Sequence, residues 1–154
     1  MRHKYLAVAA LAAFVLSGCT ANSIDLTKTK AITPVSQDIS AADLSAGKQN
    51  FRDANYGLAE KHFRKAVELR ATNAEAWMGL AAAYDQLGRF DFADRAYEQL
   101  VKLAGRKPQI VNNMGYSQLL RGNRKKAKAL LLEAKKGLAD TTVVDANLEL
   151  LKKS

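Results

Sequence analysis

The chain has 154 residues, a formal net charge of +9, one cysteine and two prolines. That length suits one compact domain, and a single cysteine excludes an internal disulfide. The Ala-, Leu- and Lys-rich background favours helices, and no stretch reads as a strand of useful length.

Arg2, His3 and Lys4 precede an apolar run from Tyr5 to Leu16, too short to cross a bilayer comfortably but shaped like a secretory signal. The run ends in Leu16-Ser17-Gly18-Cys19, which resembles the bacterial lipobox. That resemblance implies that residues 1–18 are a removable lipoprotein signal peptide. It also implies that Cys19, once exposed, carries a diacylglyceryl thioether and an acylated amine, more than one chain being needed for stable anchoring. Loss of Arg2 and Lys4 with the signal leaves a net charge of +7. Thr20 stands where an aspartate would resemble an inner-membrane retention signal, so delivery to the periplasmic face of the outer membrane is expected. Residues 19–39 then read as a lipidated N-terminus and flexible tether, polar and interrupted by Pro34.

From Ser40 the sequence repeats with a period of 34 residues, giving units 40–73, 74–107 and 108–141. The central unit carries Trp77-x-x-Leu80-Ala81-x-x-Tyr84, then Gly88, Ala93 and Tyr97. Met114, Gly115, Gly122, Ala127 and Leu131 occupy the matching places 34 positions on, and Gly47, Ala59 and Phe63 those 34 positions back. Large residues at fixed offsets from small ones are what two interlocking antiparallel helices require. In the first unit Ser40 and Asp43 form a candidate capping pair for a helix reaching Arg52, and Asp53-Ala54-Asn55 is the turn. Asp43, Ala46 and Asn50 stand where the second unit has Trp77, Leu80 and Tyr84, as a terminal unit allows. In the second, Thr72-x-x-Glu75 reads as a capping box, and Trp77, Leu80, Tyr84, Phe92 and Tyr97 fill the volume around Ala81 and Ala93. In the third, Gly105 ends the preceding helix, Pro108 opens the next, and Gln118 replaces the tyrosine. Its second helix has an apolar stripe of Ala127, Leu130, Leu131, Ala134 and Leu138 with Arg124, Lys125, Lys126, Lys128, Lys135 and Lys136 outside it. A last helix over 142–153 brings Val144, Leu148 and Leu151 to the end of the stack.

The 34-residue pattern resembles the tetratricopeptide repeat over residues 40–141. The expected fold is therefore all-α, a superhelix of about three helix pairs with a C-terminal capping helix. With the lipobox, tether and phrases such as Asn112-Asn113-Met114-Gly115-Tyr116, the chain looks like the TadD lipoproteins of the tight-adherence (Flp) pilus system. That resemblance implies an outer-membrane-anchored scaffold or pilotin-like factor for a secretin. Similar envelope lipoproteins serve type IV pili or organise peptidoglycan enzymes, so those roles stay open.

Mapping the inward offsets of such repeats selects a groove of Leu44, Lys48, Phe51 and Arg52, then Met78, Ala82, Asp85 and Gln86, then Asn112, Tyr116, Leu119 and Leu120. Its mixture of apolar and amide side chains suits a peptide, with Met78, Tyr116 and Leu120 burying apolar groups and Asn112 and Gln86 pairing with its backbone. The expected partner is a protein, a secretin or other pilus component, and the membrane is reached through the lipid on Cys19. No catalytic residue, cofactor or metal ligand set is expected. His62 stands alone after the signal, there is no phosphate loop or nucleophile elbow, and the carboxylates are scattered beside basic residues one turn away. An exported chain does not meet nucleic acid, but the third unit's lysines leave open an electrostatic contact with anionic envelope polymers or lipids.

Overall fold

The computed structural model describes residues 38–153, and in them seven α-helices and no strand. They are α1 Ala41–Arg52, α2 Tyr56–Leu69, α3 Ala74–Gln86, α4 Phe90–Ala104, α5 Pro108–Leu120, α6 Arg124–Lys136 and α7 Thr142–Lys153. The starts of α3, α5 and α7 are 34 residues apart, as are those of α2, α4 and α6, so α7 lies where the first helix of a fourth unit would begin. The fold is an all-α tetratricopeptide-repeat superhelix with a C-terminal helix.

Each unit turns through a residue with positive φ at the same place: Ala54 at 57°, Gly88 at 68° and Gly122 at 77°. Glycine adopts this conformation freely, whereas alanine at the first turn does so against its own Cβ. Pro108 opens α5, where its missing N–H removes no helical hydrogen bond, and Gly105 closes α4 with φ of 75°.

Three apolar clusters run along the stack. The first gathers Ala59, Phe63, Ala66, Val67, Ala76, Leu80 and Ala83; the second Ala81, Ala93, Ala96, Tyr97, Leu100 and Ile110; the third Val111, Leu131, Ala134 and Val144. Half-buried Leu148 packs on the third and Leu151 is buried beside it, so α7 does cover the end of the array. Small residues set the spacing. A Cβ on Gly47 would lie 2.7 Å from Cδ1 of Phe63, and one on Gly79 would also strike that ring, so Phe63 is wedged between α1 and α3. In the third unit a Cβ on Gly115 would come within 2.9 Å of the Leu131 side chain.

Three local expectations are corrected. The N-cap of α3 is Asn73, whose Oδ1 accepts from the Ala76 N–H at 3.0 Å, while Thr72 is exposed. Asn73 wins because its amide also donates to Ser40 Oγ at 2.9 Å, giving a buried polar group two partners. Ser40 in turn makes no side-chain cap of α1; its hydroxyl donates to Asp38 at 2.7 Å, and Asp43 meets His62 Nδ1 at 2.9 Å. Asp38 also accepts from Arg70 Nη1 at 2.7 Å, which ties this residue to the end of α2. Phe92 is 50% exposed rather than interior, its ring resting 5.3 Å from that of Tyr84 with the Arg95 guanidinium over it.

Candidate protein-binding cleft

The first helices of successive units present one face together. Between α1 and α3 this face is hollowed into a cleft of about 280 Å³ lined by Lys48, Phe51, Arg52, Phe63, Glu75, Met78, Gly79 and Ala82. The hollow exists because Gly79 has no side chain to set against the Phe63 ring and Ala82 beside it carries only a methyl group, which makes the floor apolar. Lys48 Nζ donates to Glu75 Oε1 at 2.6 Å across the mouth, an ion pair with both side chains about half exposed. In water such a pair contributes little stability and opens readily to a competing ligand.

Of the predicted groove residues, Met78 and Ala82 line this cleft, with Lys48, Phe51 and Arg52 opposite. Leu44 is half-buried against the first apolar cluster instead. Gln86, Tyr116 and Leu119 are half-buried and Leu120 is 37% exposed. The Met78 sulfur accepts from Asn113 Nδ2 at 2.9 Å, a contact that ties the second unit to the third.

Asp85 and Asn112 do not belong to the groove. Asp85 is 4% exposed, and its two carboxylate oxygens accept from Tyr97 Oη at 2.9 Å and Ser117 Oγ at 2.6 Å. Arg121 lies 3.9 Å away and completes the set, donating to Ser117 Oγ at 2.8 Å and forking onto Asp94 with two bonds of 2.9 Å. A buried carboxylate needs such partners. Desolvation still pushes its pKa above the ordinary value, although the Ser117 and Tyr97 hydrogen bonds and the Arg121 charge pull the other way. Tyr97 is driven well above the usual phenol range, first by burial and then by the Asp85 charge. Asn112 is 6% exposed because α7 covers it, and its Oδ1 accepts from Asn147 Nδ2 at 3.1 Å. Here the residues at inward offsets knit the units together. The signal for this was present in Arg121, Ser117 and Asn147, polar residues on otherwise apolar strips, but their partners are about 30 residues distant in sequence.

Sequence reasoning also missed Glu75 and Gly79 as lining residues. Gly79 was readable, since Gly47 and Gly79 bracket Phe63, and a mid-helix glycine without a turn calls for a close neighbour. A basic cleft lies apart, between α6 and α7, with Arg124, Lys125, Lys128, Lys135 and Lys152 around Leu132 and Leu148. Lys135 there is bound to Asp145 at 2.7 Å, and Lys136 is not part of the lining. Among the described residues no three His, Cys, Asp or Glu side chains gather where they could hold a metal ion. Nor is any described helix long and apolar enough to cross a membrane. Cys19 lies outside the described residues.

A family model for the tetratricopeptide repeat matches residues 50–112, which include α2, α3 and α4. No curated protein matches the sequence. Among solved structures, the chain resembles that in "Functional Characterization of Pseudomonas aeruginosa pilF", with 25% identity and a TM-score of 0.61; it covers 74% of this chain and 52% of that one. It is also similar to the Yersinia enterocolitica type III secretion chaperone SycD in complex with a peptide of the translocator YopD (21% identity, TM-score 0.63, 78% of this chain and 97% of that one). The Arabidopsis OM64 TPR domain aligns at 18% identity and a TM-score of 0.65, covering 74% and 94%. A tetratricopeptide-repeat model thus matches part of the chain, and the described residues have the fold of such repeats, which form protein-interaction scaffolds.

Proposed function

We propose that the chain is a protein-binding scaffold anchored by lipid on Cys19 to the periplasmic face of the outer membrane, where it assists assembly of a secretin in tight-adherence (Flp) pilus biogenesis. The observation that carries the binding role is the cleft between α1 and α3, whose apolar floor over Phe63 and rim of Lys48, Arg52 and Glu75 suit a short partner segment. The bound peptide in the similar secretion chaperone supports a peptide as the occupant. The lipobox-like Leu16-Ser17-Gly18-Cys19 supports the anchor.

Ala82→Arg tests the cleft, because Ala82 is half-buried at its wall and a long side chain there fills the hollow without entering an apolar cluster. The expected outcome is loss of secretin assembly and of piliation in cells, with helix content and unfolding midpoint unchanged. Normal piliation with a folded Ala82→Arg chain would refute the cleft as the working surface. Cys19→Ser is expected to release the chain from outer-membrane fractions, and an unmodified Cys19 thiol found by mass spectrometry in the wild-type chain would refute the anchor.

A second reading, contact with anionic envelope polymer or lipid, is favoured by the basic cleft between α6 and α7. It predicts retention on such a polymer that disappears at moderate salt, since exposed charges are screened within about 8–10 Å at physiological ionic strength.

A further inference from the structure

The opposite face of α5 borders another cleft, of about 710 Å³, enclosed by α4, α5 and α6. Val101, Met114 and Leu130 form its apolar floor, and Glu98, Lys102 and Lys126 stand at its mouth. None of its lining residues is shared with the cleft over Phe63.

The repeat supplies a template for what this space accepts. One unit earlier, 34 residues back, the corresponding place between α2, α3 and α4 is filled by Tyr84 and Phe92, their rings 5.3 Å apart. Tyr84 packs on the first two apolar clusters. In the third unit Gln118 stands in the place of Tyr84, Lys126 in that of Phe92 and Ala129 in that of Arg95. The helices keep their register, so both rings are lost while the space around them remains. Gln118 does not reclaim it, because its Oε1 turns to accept from Asn123 Nδ2 at 2.9 Å. Consistently, α4 lies against α5 over a shorter stretch than α2 against α3.

The charge at the mouth is directional. Asp94 is engaged by Arg121, and Arg106 by Glu133 at 2.9 Å. Lys102 and Lys126 form no ion pair among the described residues, and together they outweigh Glu98. An incoming ring would therefore be accompanied most favourably by a carboxylate.

We propose that the cleft between α4, α5 and α6 is a second binding site, which takes an aromatic side chain of a protein partner flanked by an acidic residue. Such a ring reproduces in trans the packing that Tyr84 and Phe92 provide in cis. The volume is within the range of about 300–1,000 Å³ usual for ligand pockets.

The sequence provides reporters, since Met78 lies in the cleft over Phe63, Met114 in this one, and the only other methionine is Met1. The full lipidated chain, labelled with ¹³C-methyl methionine and held in phosphatidylcholine nanodiscs, is titrated with 3-(4-hydroxyphenyl)propionate, with 3-cyclohexylpropionate and with tyramine. The expected result is a saturating ring-current shift of the Met114 methyl with the aromatic acid, in the low-millimolar range usual for so small a ligand. The cyclohexyl acid and the amine should bind at least threefold more weakly, and Met78 should not respond. Gln118→Tyr with Lys126→Phe should abolish the shift and raise the unfolding midpoint. Ala129→Trp, at an exposed position, should abolish the shift too, and serves if the double variant fails to fold. No shift at Met114, equal binding of the cyclohexyl acid, persistence of the shift in Ala129→Trp, or a Met114 shift that follows the chain's own concentration would each overturn the proposal. A null result at Met114 leaves the Ala82→Arg test of the other cleft untouched.

Discussion

Gly115→Ala measures how tightly the third unit is closed. The added Cβ would lie 2.9 Å from both Cγ and Cδ2 of Leu131 and 3.2 Å from its backbone nitrogen. Leu131 is 0% exposed and belongs to the third apolar cluster, so neither its side chain nor α6 has room to retreat without disturbing Val111 and Ala134. Overpacking of this kind costs about 1–3 kcal/mol. Replacing a mid-helix glycine by alanine returns about 1 kcal/mol of helix propensity. The net expectation is a loss of about 1 kcal/mol, read as a lower urea midpoint, and about 4 °C in Tm for a domain of this size. Leu131→Ala alone should cost about 2–5 kcal/mol through the cavity it leaves. In that background the side-chain obstruction is gone and only the milder 3.2 Å approach to the backbone nitrogen opposes the propensity gain, so Gly115→Ala should become stabilising, by less than about 1 kcal/mol. The double-mutant cycle thus predicts a reversal of sign. Gly115→Ala shifting stability in the same direction in both backgrounds would refute the argument that Gly115 is there to admit Leu131.

Ala54→Gly should stabilise the domain by about 0.5–1 kcal/mol, because relief of the left-handed strain at φ of 57° exceeds the extra freedom that glycine gives the unfolded chain; an unchanged or lower urea midpoint would count against it. Asp85 has its folded pKa raised by desolvation, so its contribution is most favourable below the ordinary carboxylate value of 3.8 and is lost as pH rises through the folded pKa. The stability of the wild type relative to Asp85→Asn should accordingly fall as pH is raised from about 3.5 to 7, and a difference that does not vary with pH would contradict this assignment. Asn112→Ala should cost about 1–2 kcal/mol by stranding the buried Asn147 amide, and should speed hydrogen exchange in α7 before it does so in α3 or α4.

What the sequence discloses and what it conceals divide along a physical line. Helix boundaries and turns follow from local chemistry, so Pro108, Gly105 and the residues at 54, 88 and 122 mark them, and the helices appear in the expected order. The inner apolar positions also follow, because the 34-residue period carries their spacing with it. A polar residue on an inward strip is different, since its environment depends on what a neighbouring unit places opposite. Asp85 occupies the same offset as Phe51 and Leu119 and differs from both because Ser117, Arg121 and Tyr97 converge on it. Asn112 is likewise removed from the groove by Asn147, on a helix outside the three units. Offsets predict which face a residue shares, and the identity of residues about one repeat away decides whether that face meets solvent or another unit. Gln118 and Lys126 follow the same rule. Read singly they are polar substitutions in a degenerate unit, but set against Tyr84 and Phe92 they outline a space the fold has kept open.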